Sequence, residues 1–168
     1  MFTIRCTGKL LKRIGHKPGL PAPAVEPSTA LGDWHANILF FHRAQALLFT
    51  SDTSRLAVVA PARDARNLGR HLTIALAELL EHLAIPLEWI QAEVSEMAEL
   101  GIAPTRSRSV LATMSDYAFQ IEVRFHQWGG FFPLQMSLDL SGCPSGPLGY
   151  QLPYEVTEAL LRERYRPE

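Results

Sequence analysis

Cysteine is nearly absent from this chain: Cys6 and Cys143 are the only two in 168 residues. So few exclude a disulfide framework or a cysteine metal cage and fit a reducing compartment, with one bridge between the two left open. Net charge is equally scarce. Sixteen Lys and Arg against seventeen Asp and Glu leave a formal charge of −1, so no overall field draws the chain toward nucleic acid or anionic lipid, and such a partner needs a local basic patch. No apolar run approaches the ~20 residues of a membrane span. The opening "MFTIRCTGKLLKRIG" lacks the roughly 7–15-residue apolar stretch of a secretory signal. A soluble, cytoplasmic protein is expected.

Catalytic signatures are missing as well. There is no Gly-x-Ser-x-Gly elbow and no Gly-x-x-x-x-Gly-Lys phosphate loop, and neither cysteine sits in a catalytic motif. Glu78 and His82 lie one helical turn apart, but His71 is too far along the same stripe to join them, and His16, His42 and His126 show no ligand spacing. No metal and no cofactor are expected.

What is present is a foldable chain. A hydrophobic content of 47% with 20% charged residues suits one globular domain over residues 1–168 with a real core. Phe2, Ile4 and Cys6 alternate with polar residues, predicting a strand, and Leu10, Leu11 and Ile14 give a short basic helix. Residues 15–32 carry four prolines and read as an extended loop. Three apolar runs at 36–42, 46–51 and 55–60, separated by short polar breaks, predict an antiparallel meander. Leu68, Leu72, Leu76, Leu79 and Leu83 then recur at helical spacing until Pro86, and a second helix runs on to Gly101 with Ile90, Val94 and Met97 on one face. Val110, Leu111 and Met114 fit a short helix capped by Thr105, Ser107 or Ser109. From Tyr117 to Phe125 aromatic and aliphatic residues alternate strictly with others, and Leu134, Met136, Leu138 and Leu140 alternate again beyond Gly129 and Gly130, which predicts a hairpin of strands at 117–126 and 133–140. Pro153 opens a last helix with glutamates early and arginines late. The expected fold is α+β: about six mostly antiparallel strands with a helical pair on one face. Leu72, Leu76, Leu79, Val110, Met114, Ile121 and Leu138 are the expected core.

Three segments carry a resemblance: "IRCTGKLLKRI", "GDWHANILFFHRAQALLFTSDTSRLAVV" and "TRSRSVLATMSDYAF". Together they resemble a family of small uncharacterised bacterial proteins grouped under a domain of unknown function, over residues 2–14 and 31–119. The last segment is similar to that family's Thr-x-x-Arg-Ser-Val-Leu-Gly-x-Met-Asn-Asp, with Ala112 in place of the usual Gly and Ser115 in place of the usual Asn. The resemblance implies a single intracellular domain and transfers no activity.

Candidate chemistry gathers at a few positions. Arg106 and Arg108, among Thr105, Ser107 and Ser109, combine guanidiniums with a helix start, where free N–H groups favour phosphate or carboxylate. The plain alternative is a hydroxyl cap beside two solvated arginines. In "WHAN", strand alternation puts Trp34 and Ala36 on one side and His35 and Asn37 on the other, where the latter two line a site or satisfy buried hydrogen bonds. Asp116 is either an acid or base near Arg108 or the partner of an arginine. Arg5, Lys9, Lys12, Arg13 and Lys17 form a basic N-terminal segment with no acidic residue before Glu26, by default a solvated face, and otherwise suited to nucleic acid or to the glutamates of the second long helix, within the chain or across a homodimer.

Two functions follow. The first is a non-catalytic binding or interaction module, with Arg106, Arg108, Ser109, His35 and Asn37 as binding residues. The alternative is an enzyme on a phosphate-bearing substrate such as RNA, with the arginines as anion clamp and His35 or Asp116 as general acid or base. Convergence of these side chains in one concave pocket favours the enzyme, and scatter favours the module.

Overall fold

The alternation at the N-terminus does make a strand. In the computed structural model, which describes residues 1–17 and 25–168, β1 (Phe2–Cys6) buries Phe2, Ile4 and Cys6 and leaves Thr3 and Arg5 half-buried on the other face. Thr7 caps the following helix, α1 (Gly8–Ile14), by accepting the Leu10 N–H, and Gly15 ends it in the left-handed region at φ 69°. Of the expected proline-rich loop, residues 18–24 lie outside the described residues, and Val25–Gly32 contains neither helix nor strand.

The meander forms as the polar breaks indicate: β2 (Trp34–Phe41), β3 (Ala44–Ser51) and β4 (Ala57–Pro61) pair antiparallel, with Ala36 opposite Phe49 and Leu48 opposite Val59. The helical pair also forms, as α2 (Leu68–His82) and α3 (Leu87–Glu96).

Beyond Glu96 the structure corrects the sequence reading. A fifth strand, β5 (Leu100–Pro104), occupies the expected end of the second helix, and residues 108–141, expected to end in a β-hairpin, are helical: α4 (Arg108–Trp128) and α5 (Pro133–Ser141). The reason lies in the arithmetic of the two periods. Strict alternation contains every i, i+4 pair, so Tyr117, Ile121 and Phe125 satisfy both patterns, and Met136 and Leu140 do likewise. Ser107 accepts the Val110 N–H and Gly129 closes the helix at φ 69°, so the helix started at Val110–Met114 runs on without interruption. Phe119 shows the outcome. It belongs to the alternating set, yet it is 68% exposed while Ile121 is fully buried.

The sheet is therefore mixed and five-stranded, not six-stranded and mostly antiparallel. Its order is β4-β3-β2-β1-β5, and β1 pairs parallel with both β2 and β5. Helices cover both faces of this α+β domain. α1, α2, α3 and the C-terminal α6 (Pro153–Tyr165) pack on the face of Ile4, Trp34, Phe49 and Val58, while α4 and α5 pack on that of Leu39, Leu48 and Val59. Leu72, Leu76, Leu79, Val110, Met114 and Ile121 are buried as expected, and Leu138 is half-buried. Glu93 is buried too, unlike the helix's other glutamates, because its carboxylate accepts the N–H groups of Ala30 and Leu31 and the Tyr165 hydroxyl. Ser137 accepts the Val59 N–H at 2.9 Å and Pro61 has none to offer, so the β4 edge is blunted against further strand pairing. Among the described residues, no helix is long and apolar enough to cross a membrane.

Cys6 and Cys143 are both free thiols, and burial pushes Cys6 up to about 12. At pH 8 Cys6 stays protonated and enclosed, so a thiol-specific disulfide reagent should modify it only in step with unfolding. Ile121→Ala should cost about 2–5 kcal/mol in urea unfolding, whereas Phe119→Ala should cost less than about 0.5 kcal/mol. Equal losses at the two positions would contradict the helical assignment.

Candidate ligand-binding site

Parallel pairing brings the carboxyl ends of β1 and β5 side by side, with Cys6 opposite Pro104 and the Thr105 N–H donating to the Cys6 carbonyl. From there α1 leaves to one face and α4 to the other. In sheets of this kind, such a switch of direction at the carboxyl ends of parallel strands is the usual place for a ligand crevice.

Arg106 and Arg108 are both exposed where α4 begins, next to the carboxyl end of β5. Ser107, not Thr105 or Ser109, makes the cap. Asn37 lies across from it and accepts a 2.6 Å hydrogen bond from the Thr7 hydroxyl, while its side-chain oxygen also takes the Ile38 N–H.

Behind this rim runs a polar row across the face that α4 only partly covers. Arg5, His35 and Thr50 are register partners on β1, β2 and β3, so their side chains emerge next to one another on one face. His35 is fully buried, and its Nδ1 lies 2.5 Å from an Asp52 carboxylate oxygen. Arg55 sits in the β3–β4 turn in the left-handed region, at φ 59°, a conformation costing a non-glycine residue roughly 1 kcal/mol or more. Its guanidinium donates to the Asp52 carbonyl and to the Ser109 hydroxyl, and its own carbonyl accepts the Tyr117 hydroxyl at 2.7 Å. Burial draws the Arg55 guanidinium below its usual range, opposed by the nearby Asp52 carboxylate. Burial likewise raises the Tyr117 phenol, which stays a neutral donor. Asp33 holds the other end of the row, accepting the Thr3 N–H at 2.8 Å and standing 3.7 Å from the Arg5 guanidinium.

Four atoms of this network have no hydrogen-bond partner among the described residues: Arg5 Nε, His35 Nε2, Thr50 Oγ1 and Arg55 Nε. Buried polar groups are nearly always satisfied. These four are enclosed and lie on neighbouring segments, and Trp34 Nε1 and Thr157 Oγ1 are likewise buried without a partner elsewhere in the domain.

The structure thus links His35 to Ser109 through Asp52 and Arg55 and leaves Arg106 and Arg108 on the rim. Asp116 is not part of the group. It lies two turns along α4 and lines a separate small cleft with Tyr117, Gln120 and Cys143, and among the described residues neither it nor the two rim arginines forms an ion pair. Thr50, Asp52 and Arg55 escaped sequence reasoning because each is an ordinary polar residue of a strand or turn, and Arg5 stood out only as part of the basic N-terminal segment. Strand register alone makes them neighbours. The nearest sequence signal is the polar alternation at Arg5 and Thr50.

Among the described residues, no group of three or more His, Cys, Asp or Glu could hold a metal ion. The molecule is an α+β domain with a mixed five-stranded sheet. The chain belongs to the family defined by a domain of unknown function, DUF6933, whose model matches residues 3–156. No curated protein and no solved structure matches it.

Asp52→Ala should strand both ring nitrogens of an enclosed imidazole and lower stability by about 1–3 kcal/mol, read by urea unfolding. A change below about 0.3 kcal/mol would mean that the His35–Asp52 contact contributes nothing.

Proposed function

We propose that the protein is a non-catalytic binding module whose ligand presents a phosphate or carboxylate group to the crevice. The observation that carries this reading is the set of unpartnered polar atoms on Arg5, His35, Thr50 and Arg55. Two guanidinium N–H groups and a hydroxyl offer donors, so the complementary ligand is rich in acceptors. Arg106 and Arg108 on the rim supply the attracting charge, and Ser109 and Asn37 flank the entry. The ligand's charge would be met partly by N–H groups at the start of α4. In this reading nucleic acid would be met at a local basic patch. A protein partner or a second copy of the chain would be met at the acidic faces of α3 and α6.

A second reading has one observation in its favour. With Nδ1 on Asp52, His35 has Nε2 free, the arrangement of an oriented general base. An enzyme acting on a phosphate-bearing substrate such as RNA would use it with the arginines as clamp.

Isothermal titration with inorganic phosphate and with a nucleoside monophosphate decides between them. Binding should be salt-sensitive, should weaken at least tenfold in Arg106→Ala/Arg108→Ala, and should be abolished by His35→Gln in protein whose circular dichroism is unchanged. No phosphate should be released from the nucleotide and no RNA cleaved. Turnover lost in His35→Gln would establish the enzyme instead, and binding unaltered by both variants would remove the crevice from consideration.

A further inference from the structure

The near-neutral total hides a division of charge along the chain. Residues 1–77 carry ten Lys or Arg against four Asp or Glu, and residues 78–168 carry six against thirteen. Two of the four acids in the first part are already engaged, Asp33 beside Arg5 and Asp52 on His35. Apart from Arg5 and the buried Arg55, the basic side chains of residues 1–77 are exposed.

Three elements carry them. α1 and the residues just after it present Lys9, Lys12, Arg13 and Lys17, the turn between β2 and β3 presents Arg43, and the segment from β4 into α2 presents Arg63, Arg66 and Arg70. Arg13, Arg43, Arg63, Arg66 and Arg70 line two clefts, one on each side of the 61–70 segment. One, of about 730 Å³, brings together Arg13, Arg43 and Arg63 with Gln45, Phe131 and a single carboxylate, Asp64. The other, of about 640 Å³, has His16, Arg66 and Arg70 around the first turn of α2. Arg13 is held toward the first cleft by a 2.9 Å hydrogen bond to Gln45. Both volumes fall in the range of true ligand clefts, roughly 300–1,000 Å³.

We propose that this basic face binds single-stranded nucleic acid. It shares with the reading above the premise that the chain is a binding module, but it uses none of the crevice residues. Arginines from three elements set a line of cations along which a phosphate backbone can run, and they outnumber acids strongly enough to release counterions on binding. Aromatic rings stand beside that line. Phe131 is in the cleft wall, and Phe40 is 52% exposed with the Lys9 ammonium 5.4 Å from its ring centroid. Rings next to cations stack unpaired bases in a way that tolerates any sequence. A duplex is the poorer fit: the cations sit in clefts, and α1 is a seven-residue helix docked on the sheet by Leu10, not a projecting element that could enter a groove.

The test is fluorescence anisotropy of the full chain with a labelled 20-nucleotide oligouridylate, alongside a 20-base-pair duplex and phosphatidylserine vesicles, at 50 and 200 mM KCl. If about four phosphates are neutralised, affinity for the single strand should fall about 50-fold between the two salt concentrations. The variant Arg43→Glu/Arg63→Glu/Arg66→Glu, altered only at exposed positions, should lose at least tenfold with an unchanged thermal transition. Inorganic phosphate, the probe of the crevice, should bind the triple variant as it binds the wild type, which separates this face from the crevice. Equal binding by the triple variant would overturn the proposal, as would a duplex or vesicles bound more tightly than the single strand. Salt-sensitive self-association lost in the triple variant, with no oligonucleotide binding, would assign the face to an acidic protein surface and equally overturn it.

Discussion

Parallel pairing of β1 with both β2 and β5 is the constraint on which the rest of this molecule depends. A parallel neighbour cannot be reached by a tight turn, so the chain must leave β1 and travel over a face of the sheet before it returns. It does so twice, through α1 to β2 and through the meander, α2 and α3 to β5. Both excursions bury apolar stripes on the same face, where Phe2, Ile4, Cys6, Trp34 and Phe49 meet Leu10, Leu72, Leu76 and Ile90. Because β1 and β5 end together, α4 starts where α1 starts and has only the opposite face left to cover.

That placement explains why the polar residues collect where they do. α4 and α5 lie over β2, β3 and β4, packing Val110, Met114, Ile121 and Met136 on Leu39, Leu48 and Val59. At the β1 end of that face the register partners Arg5, His35 and Thr50 are polar, with His35 and Thr50 fully buried and Arg5 half-buried. Burying a histidine with an unpartnered nitrogen costs free energy that an apolar residue would not. The fold holds it against Asp52 all the same, braced by an arginine in a left-handed turn and by the Tyr117 hydroxyl. Strain and unsatisfied polar groups in one place are the physical marks of a site, and sequence-level consistency is expected to break there.

How much could be read from the sequence differs from element to element. The strands from Phe2 to Pro61 and the helix from Leu68 were legible because one period described each of them and hydrophobic burial then agreed with it. The stretch after Tyr117 was not, because its alternation is compatible with both a strand and a helix, and the caps at Ser107 and Gly129, twenty-one helical residues apart, outweighed it. β5 was missed for the opposite reason: "LGIAP" is too short to show a period, and it becomes a strand because β1 offers it a free edge. Within the candidate site, Arg106, Arg108, Ser109, His35 and Asn37 stood out by residue type. Thr50, Asp52 and Arg55 did not, and Arg5 stood out only within the basic N-terminal segment.

The sequence by itself determined what the early segments bury, since the free energy of burial is set by local pattern: which face of each early strand is apolar and which leucines of the helix from Leu68 point inward. It also determined the charge of each segment. Only the tertiary structure decided which strands lie parallel and in what register. Hydrogen bonds between strands carry no record of their partner in either strand's composition, and a shift of one residue would turn Arg5, His35 and Thr50 to opposite faces. The neighbourhood of those three side chains, and with it the candidate site, exists because the paired strands settled it.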